Sequence, residues 1–236
     1  MLPRAAVLIF SIGTVLVAAC TDDSVSPEPR SSPEGTAASL VRDGARPVWV
    51  RSGDLDGDDV EELAVASYRQ VPTGFTVPYL EVFRLTDSGW RRVFDATGNA
   101  PPGAGAPAEM LTPLNRGHVS QTIRGLRLVD FAGDGVPEIV VAIQTFGATE
   151  GPLELWVLSM GAEGSLTTEF YRASSRGGDV VRVQGNQLRF EYHVYRDEDP
   201  GCCPTFTDRV IIGWNQASGR IEVLERIRRP SGLGLG

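Results

Sequence analysis

Beyond residue 46 the apolar positions alternate with polar ones instead of recurring at helical spacing. The runs are short, rich in Val, Ile, Phe, Tyr and Trp, and end at Gly, Asp, Pro or Ser. That is the signature of strands with one buried face. The runs also group. PVWVRSGDLDGDDVEELAVASY leads into YLEVFRLTDSGWRRVFDA, GLRLVDFAGDGVPEIVVAIQT into LELWVLSMGAEGSLTTEFYRA, and DVVRVQGNQLRFEYHVYRD into DRVIIGWNQASGRIEVLERI. This repetition predicts three units of four strands. They fall near 47–52, 62–69, 79–85 and 90–95, then 123–130, 138–145, 153–159 and 166–172, then 179–184, 187–195, 207–214 and 220–226. Short connections make each unit an antiparallel meander. One meander buries a face poorly by itself, so the units must pack on each other. The expected fold is all-β, with three four-stranded antiparallel meanders in a propeller-like arrangement. A β-sandwich or an open barrel is the alternative. Each unit carries an aromatic and then a glycine turn, Phe83 to Gly89, Trp156 to Gly164 and Trp214 to Gly219. These aromatics are expected to be core anchors at one shared structural position.

The expected organisation places the β-repeat domain at 47–228, with units of about 47–96, 122–173 and 178–228. A Gly-, Pro- and Ala-rich loop insertion fills 97–121, and 229–236 form a tail. Residues 1–19 read as a signal peptide, with Arg4 before an apolar run from Ala5 to Ala19. Fifteen residues rise about 22 Å as a helix, short of the hydrocarbon core of about 30 Å. Val17-Ala18-Ala19-Cys20 resembles the bacterial lipobox, which implies lipidation of Cys20 as the first mature residue. Ordinary secretory cleavage near Ala19 is the alternative. Thr21 stands where an Asp would imply inner-membrane retention, so the resemblance implies an envelope protein of the outer membrane, on its periplasmic or surface face. Residues 20–46 are poor in apolar side chains and read as a flexible tether.

Charge narrows the partners. The formal net charge is −8 and all 22 basic residues are arginine. Loss of residues 1–19 removes one arginine and no acid, which makes the chain more acidic still. Such a surface argues against nucleic acid and anionic headgroups as partners. It leaves cations and basic or neutral ligands open, with the protein or glycan partner itself unspecified.

The chemistry gathers in GDLDGDDVEELAVASY, with six acidic side chains between Asp54 and Glu62. Asp54, Asp56 and Asp58 occupy positions 1, 3 and 5 of a turn. The Val60 carbonyl can serve position 7, and Glu62 closes position 9. Calcium takes about six to eight oxygens at about 2.3–2.6 Å. Two carboxylates about 4 Å apart repel by roughly 4 kcal/mol at an effective dielectric of about 20. The loop is therefore expected to be costly to close empty and favourable to close around a divalent ion. It is not an EF-hand, because Asp59 stands at position 6 and Val65 at position 12. The stretch resembles the FG-GAP or VCBS repeat of integrin-type propellers and bacterial surface proteins. That resemblance implies a calcium loop between the first two strands of a blade; Asp59 departs from the usual Gly. A second copy keeps Asp130, Asp134 and Glu138, but Ala132 replaces the middle ligand. A weak site, or a turn that keeps its shape without metal, is expected there. The third unit has only QGNQ at the corresponding bend.

The third unit carries DEDPGCCPTFTDR. In an oxidising compartment, Cys202 and Cys203 could form a strained vicinal disulfide. They could also remain packed thiols, or act as a redox or ligand-contacting switch. The CCP turn is similar to that of small secreted lipoproteins of the LppP/LprE group. His118 and His193 belong to no metal spacing, and no Gly-x-Ser-x-Gly or phosphate-loop motif occurs. The expected function is a non-enzymatic, lipid-anchored envelope module for binding or scaffolding, with calcium stiffening its first loop. The alternative is an envelope hydrolase or carbohydrate-active accessory protein that uses acids from two units.

Overall fold

The computed structural model describes residues 32–70, 76–96, 120–146, 150–174, 176–200 and 203–231. Twelve strands form where the alternation predicts them. The first meander comprises β1 (Ala45–Gly53), β2 (Glu62–Gln70), β3 (Thr76–Thr86) and β4 (Gly89–Asp95). The second comprises β5 (Ser120–Val129), β6 (Glu138–Phe146), β7 (Glu150–Met160) and β8 (Leu166–Ala173). The third comprises β9 (Arg176–Gln184), β10 (Gln187–Val194), β11 (Phe206–Asn215) and β12 (Arg220–Pro230). Neighbouring strands within each meander pair antiparallel. One parallel contact, Pro152 with Gly177, joins the second and third meanders into a single eight-stranded sheet.

Packing follows the alternation. Ala64, Ala66, Leu80, Val82 and Phe94 of the first sheet meet Ile123, Leu126, Val141, Ile143 and Leu158 of the second meander in one apolar layer. The opposite face of that meander, with Val140, Leu155 and Val157, packs on Leu188, Phe190, Val210 and Ile212 of the third. Tyr68 crosses the first interface, its hydroxyl donating to the Ile123 carbonyl at 2.7 Å. Burial pushes that phenol up to about 12.

The units stack face to face and do not close; among the described residues there is neither a closed barrel nor a propeller. The expected radial closure is therefore corrected to an open stack. Both ends of the stack show why it stops. On the first sheet, helix α1 (Pro33–Leu40) covers Val50, Leu63, Val65 and Phe83 with Ala37, Leu40 and Val41. On the third, Arg189, Glu191 and Arg209 alternate with the inward Leu188, Phe190 and Val210, and ion pairs link them across the outer face. Neither outer face calls for a further sheet.

Helix α1 also corrects the tether expected over 20–46. Ser32 accepts from the Gly35 N–H at 3.2 Å as N-cap, and Pro33 opens the first turn. Ordered chain thus begins well before residue 47. At the other end, β12 runs to Pro230, two residues into the expected tail. The three aromatics are apolar anchors but not at one position. Phe83 pairs with Leu63 under the helix, whereas Leu158 is the residue opposite the equivalent Ile139. Trp156 lies two residues further along and packs on the other layer, and Trp214 packs against the third meander's core. The signal peptide, Cys20, most of the 97–121 insertion, His118 and Cys202 lie outside the described residues.

Candidate metal loop

The loop between β1 and β2 is organised by its own carboxylates. Asp54 Oδ1 accepts from the Gly57 and Asp58 N–H groups at 2.7 and 3.1 Å, and Oδ2 accepts from Asp59 N–H at 2.9 Å. Asp58 Oδ1 accepts from Val60 N–H at 2.9 Å. Glu62 is fully buried at the start of β2, and its Oε2 accepts from Leu55 N–H at 2.9 Å. Leu55, between the acids, drops into the layer between the first two sheets with no exposed surface. The alternation of the loop therefore sends its apolar second residue inward and its aspartates around the turn.

The loop between β5 and β6 repeats this frame bond for bond. Asp130 Oδ1 accepts from Gly133 and Asp134 N–H at 2.6 and 3.2 Å, and Oδ2 from Gly135 at 2.9 Å. Asp134 accepts from Val136 at 3.0 Å, and Glu138 Oε2 from Phe131 at 3.1 Å. Phe131 fills the place of Leu55, turned into the other apolar layer. Asp59 is the only non-glycine residue with positive φ among those described, at 64°, and its counterpart Gly135 sits at 93°. The chain thus forces an L-residue into the left-handed region at the one position where the sequence departs from the usual glycine. The loops abut: a Cβ on Gly57 would lie 3.0 Å from Val136, and one on Gly53 would lie 3.1 Å from Leu128.

A second difference separates the two frames. Asp56 has Ala132 as its counterpart. Opposite Glu62 on β3 stands Arg84, which binds Glu62 Oε1 through Nε at 2.8 Å and Asp56 Oδ2 through Nη2; Asp58 is 3.7 Å away. At the corresponding place in the second meander, one residue past the Ile139–Leu158 pair, stands Ser159. The extra acid and the arginine therefore occur together and are absent together. Spacing along the loop could not reveal Arg84. The register of β2 with β3 could, since it sets Glu62 directly opposite Arg84.

Of the residues expected to hold metal, Asp54, Asp56 and Asp58 come together, each with an oxygen within 4.8 Å of the others. Glu62 is directed to Leu55 and Arg84, and Val60 contributes its N–H to the frame. Asp130, Asp134 and Glu138 form no such group; among the described residues only the first loop has one. Asp56 is the unusual member. Its side chain is 2% exposed, and its Oδ1 is buried without a hydrogen-bond partner. Burial pushes the Glu62 and Glu138 carboxyls up, and the aspartates of their own loops push the same way, opposed by the Leu55 and Phe131 N–H groups.

Closing the first loop costs less than carboxylate repulsion alone implies. Three backbone N–H groups on Asp54 and a guanidinium on Asp56 offset much of it, each charged hydrogen bond contributing about 1.5–3 kcal/mol. The second loop holds the same shape with three acids where the first has six, and with no arginine.

The remaining candidates are dispersed. His193 lies half-buried on β10. Cys203 is half-buried in a turn held by Asp199, which accepts from the Arg196 and Thr205 N–H groups at 2.8 Å each. The chain matches no protein-family model and no curated protein.

Proposed function

We propose that this chain is a non-enzymatic, lipid-anchored module of the bacterial cell envelope that binds or scaffolds a protein or glycan, with calcium held in its first acidic loop. Asp56 carries the metal reading. A buried carboxylate oxygen without a partner is costly, and an ion placed among Asp54, Asp56 and Asp58 supplies that partner. Arg84 is at the same carboxylate, so guanidinium and ion compete for it, which favours a modest affinity. The shared frame of the two loops supports the likeness to FG-GAP or VCBS repeats. The binding role is favoured over the hydrolase by how the acids are used: Asp54, Glu62, Asp130 and Glu138 are engaged by the loops' own N–H groups. The lipid anchor and outer-membrane address rest on Val17 to Thr21.

Melting of the full chain in calcium and in chelator tests the ion. At a hundredfold excess over the dissociation constant, one site stabilises by about 2.7 kcal/mol, and Asp56→Asn removes the shift. Equal melting in calcium and chelator contradicts the metal reading. Diacylglyceryl on the N-terminal Cys20 peptide is the mass expected from envelope fractions, and an unmodified Cys20 there contradicts the anchor.

A further inference from the structure

A second ionic cluster lies at the opposite end of the strands from the acidic loops. Loop 130–137 follows the end of β5, whereas Arg172 stands near the end of β8, after two reversals of the chain. Asp208 on β11 is fully buried at its centre. Arg226 Nε donates to Asp208 Oδ2 at 2.8 Å, and Arg228 donates through Nε to Oδ1 at 2.7 Å and through Nη2 to Oδ2 at 2.9 Å. The Tyr192 hydroxyl donates to Asp208 Oδ2 at 3.2 Å. From the second meander, Arg172 donates to the Tyr192 oxygen, with its guanidinium carbon 5.1 Å from the centre of that ring. Guanidiniums from both meanders therefore converge on one carboxylate and one phenol.

The charges do not balance. Two guanidiniums pair with the one carboxylate and a third reaches the phenol beside it, in a chain whose net charge is −8. Nor are the donors used up. Arg172 Nε is buried without a hydrogen-bond partner. Arg226 and Arg228 spend Nε and Nη2 on Asp208, and among the described residues none accepts from their Nη1 groups. Their side chains are 48% and 46% exposed, while the carboxylate behind them has no exposed surface. Asp208 thus holds two guanidiniums by their inner edges and leaves the outer edges turned to solvent. Fixed forks of N–H donors with surplus positive charge suit an oxygen anion, which each can grip with two parallel bonds.

We infer that Arg172, Arg226 and Arg228 form a binding site for a compact oxyanion, a phosphate, sulfate or carboxylate group, with Asp208 and Tyr192 holding the guanidiniums from behind. The site stands apart from the calcium loop and does not depend on it. It gives the chain a specific means of engaging an acidic ligand despite its overall negative charge, which by itself repels such ligands at long range.

Calorimetric titration of the full chain with inorganic phosphate and with glucuronate, each against chloride at matched ionic strength, tests the site. Saturable binding of either is expected, and the preferred one tells a tetrahedral group from a planar one. Arg172→Met and Arg228→Gln are each expected to weaken it by about tenfold or more, the worth of one charged hydrogen bond. Arg182→Gln, on an exposed position of β9, leaves it unchanged. No saturable binding of either anion overturns the inference, as does an equal loss in Arg182→Gln. Where a variant fails to fold, arginine Nε spectra of the unaltered chain decide. The anion must move the Arg172 and Arg228 signals more than that of Arg182, and uniform movement overturns the site.

Discussion

Arg84 faces the buried acids of the first loop, and this one residue sets how much their charge costs. Its guanidinium is bound to Glu62 and Asp56 at once. Arg84→Met is expected to lower stability in chelator by about 2 kcal/mol, because it leaves buried carboxylates unpaired. The same change removes the competitor and should tighten calcium binding several-fold. Urea titrations with and without calcium check both effects, and unchanged affinity contradicts the competition. Asp59 offers a test of opposite sign. At φ 64° it carries strain that its counterpart Gly135 escapes, so Asp59→Gly should stabilise the chain by about 1 kcal/mol. Asp208 gives a pH test. Hydrogen bonds from Arg228 and then Arg226 hold its carboxyl down from 3.8 to about 2. A depressed folded value means stability that is present above the unfolded value and lost on acidification. The stability gap between the unaltered chain and Asp208→Asn should therefore shrink as the pH falls from 3.8 to about 2, and a gap constant across that window contradicts the assignment.

At the scale of elements, the acidic loops are also core elements. Leu55 and Phe131 are fully buried, held by N–H groups bound to Glu62 and Glu138. Each loop thus ties an exposed turn to the packing beneath it. Leu55→Ala and Phe131→Ala should each cost about 2–5 kcal/mol, and a loss well under 1 kcal/mol in equilibrium denaturation would show that the loops ride on the core without anchoring in it. The twelve described strands were legible in the sequence, most from period-two alternation and β2 and β6 from unbroken apolar runs that are buried on both faces. Helix α1 was not, since PEGTAASL offers few apolar positions and only Ala37 of it is fully buried. Its start signal was present: Ser32 and Pro33 are a cap and a first-turn residue. In the candidate metal loop, spacing along the chain revealed the aspartates, but Arg84 comes from the facing strand and needed the register.

For the molecule as a whole, the apolar pattern fixes what each meander buries and leaves open whether three meanders close or stack. Closure depends on what covers the two outer faces. Here α1 covers one, and the Arg189–Glu191–Arg209 pairs make the other acceptable to water. The result is a stack with two chemically opposed ends. One end carries the paired acidic loops, and the other carries arginines gathered around Asp208. The claim on which the functional reading turns is that Asp54, Asp56 and Asp58 hold a calcium ion. Direct calorimetric titration of the full chain with calcium tests it most plainly. One saturable site is predicted, lost in Asp56→Asn and retained in Asp134→Asn. Absence of binding heat, or a site that survives Asp56→Asn and disappears with Asp134→Asn, would contradict the account.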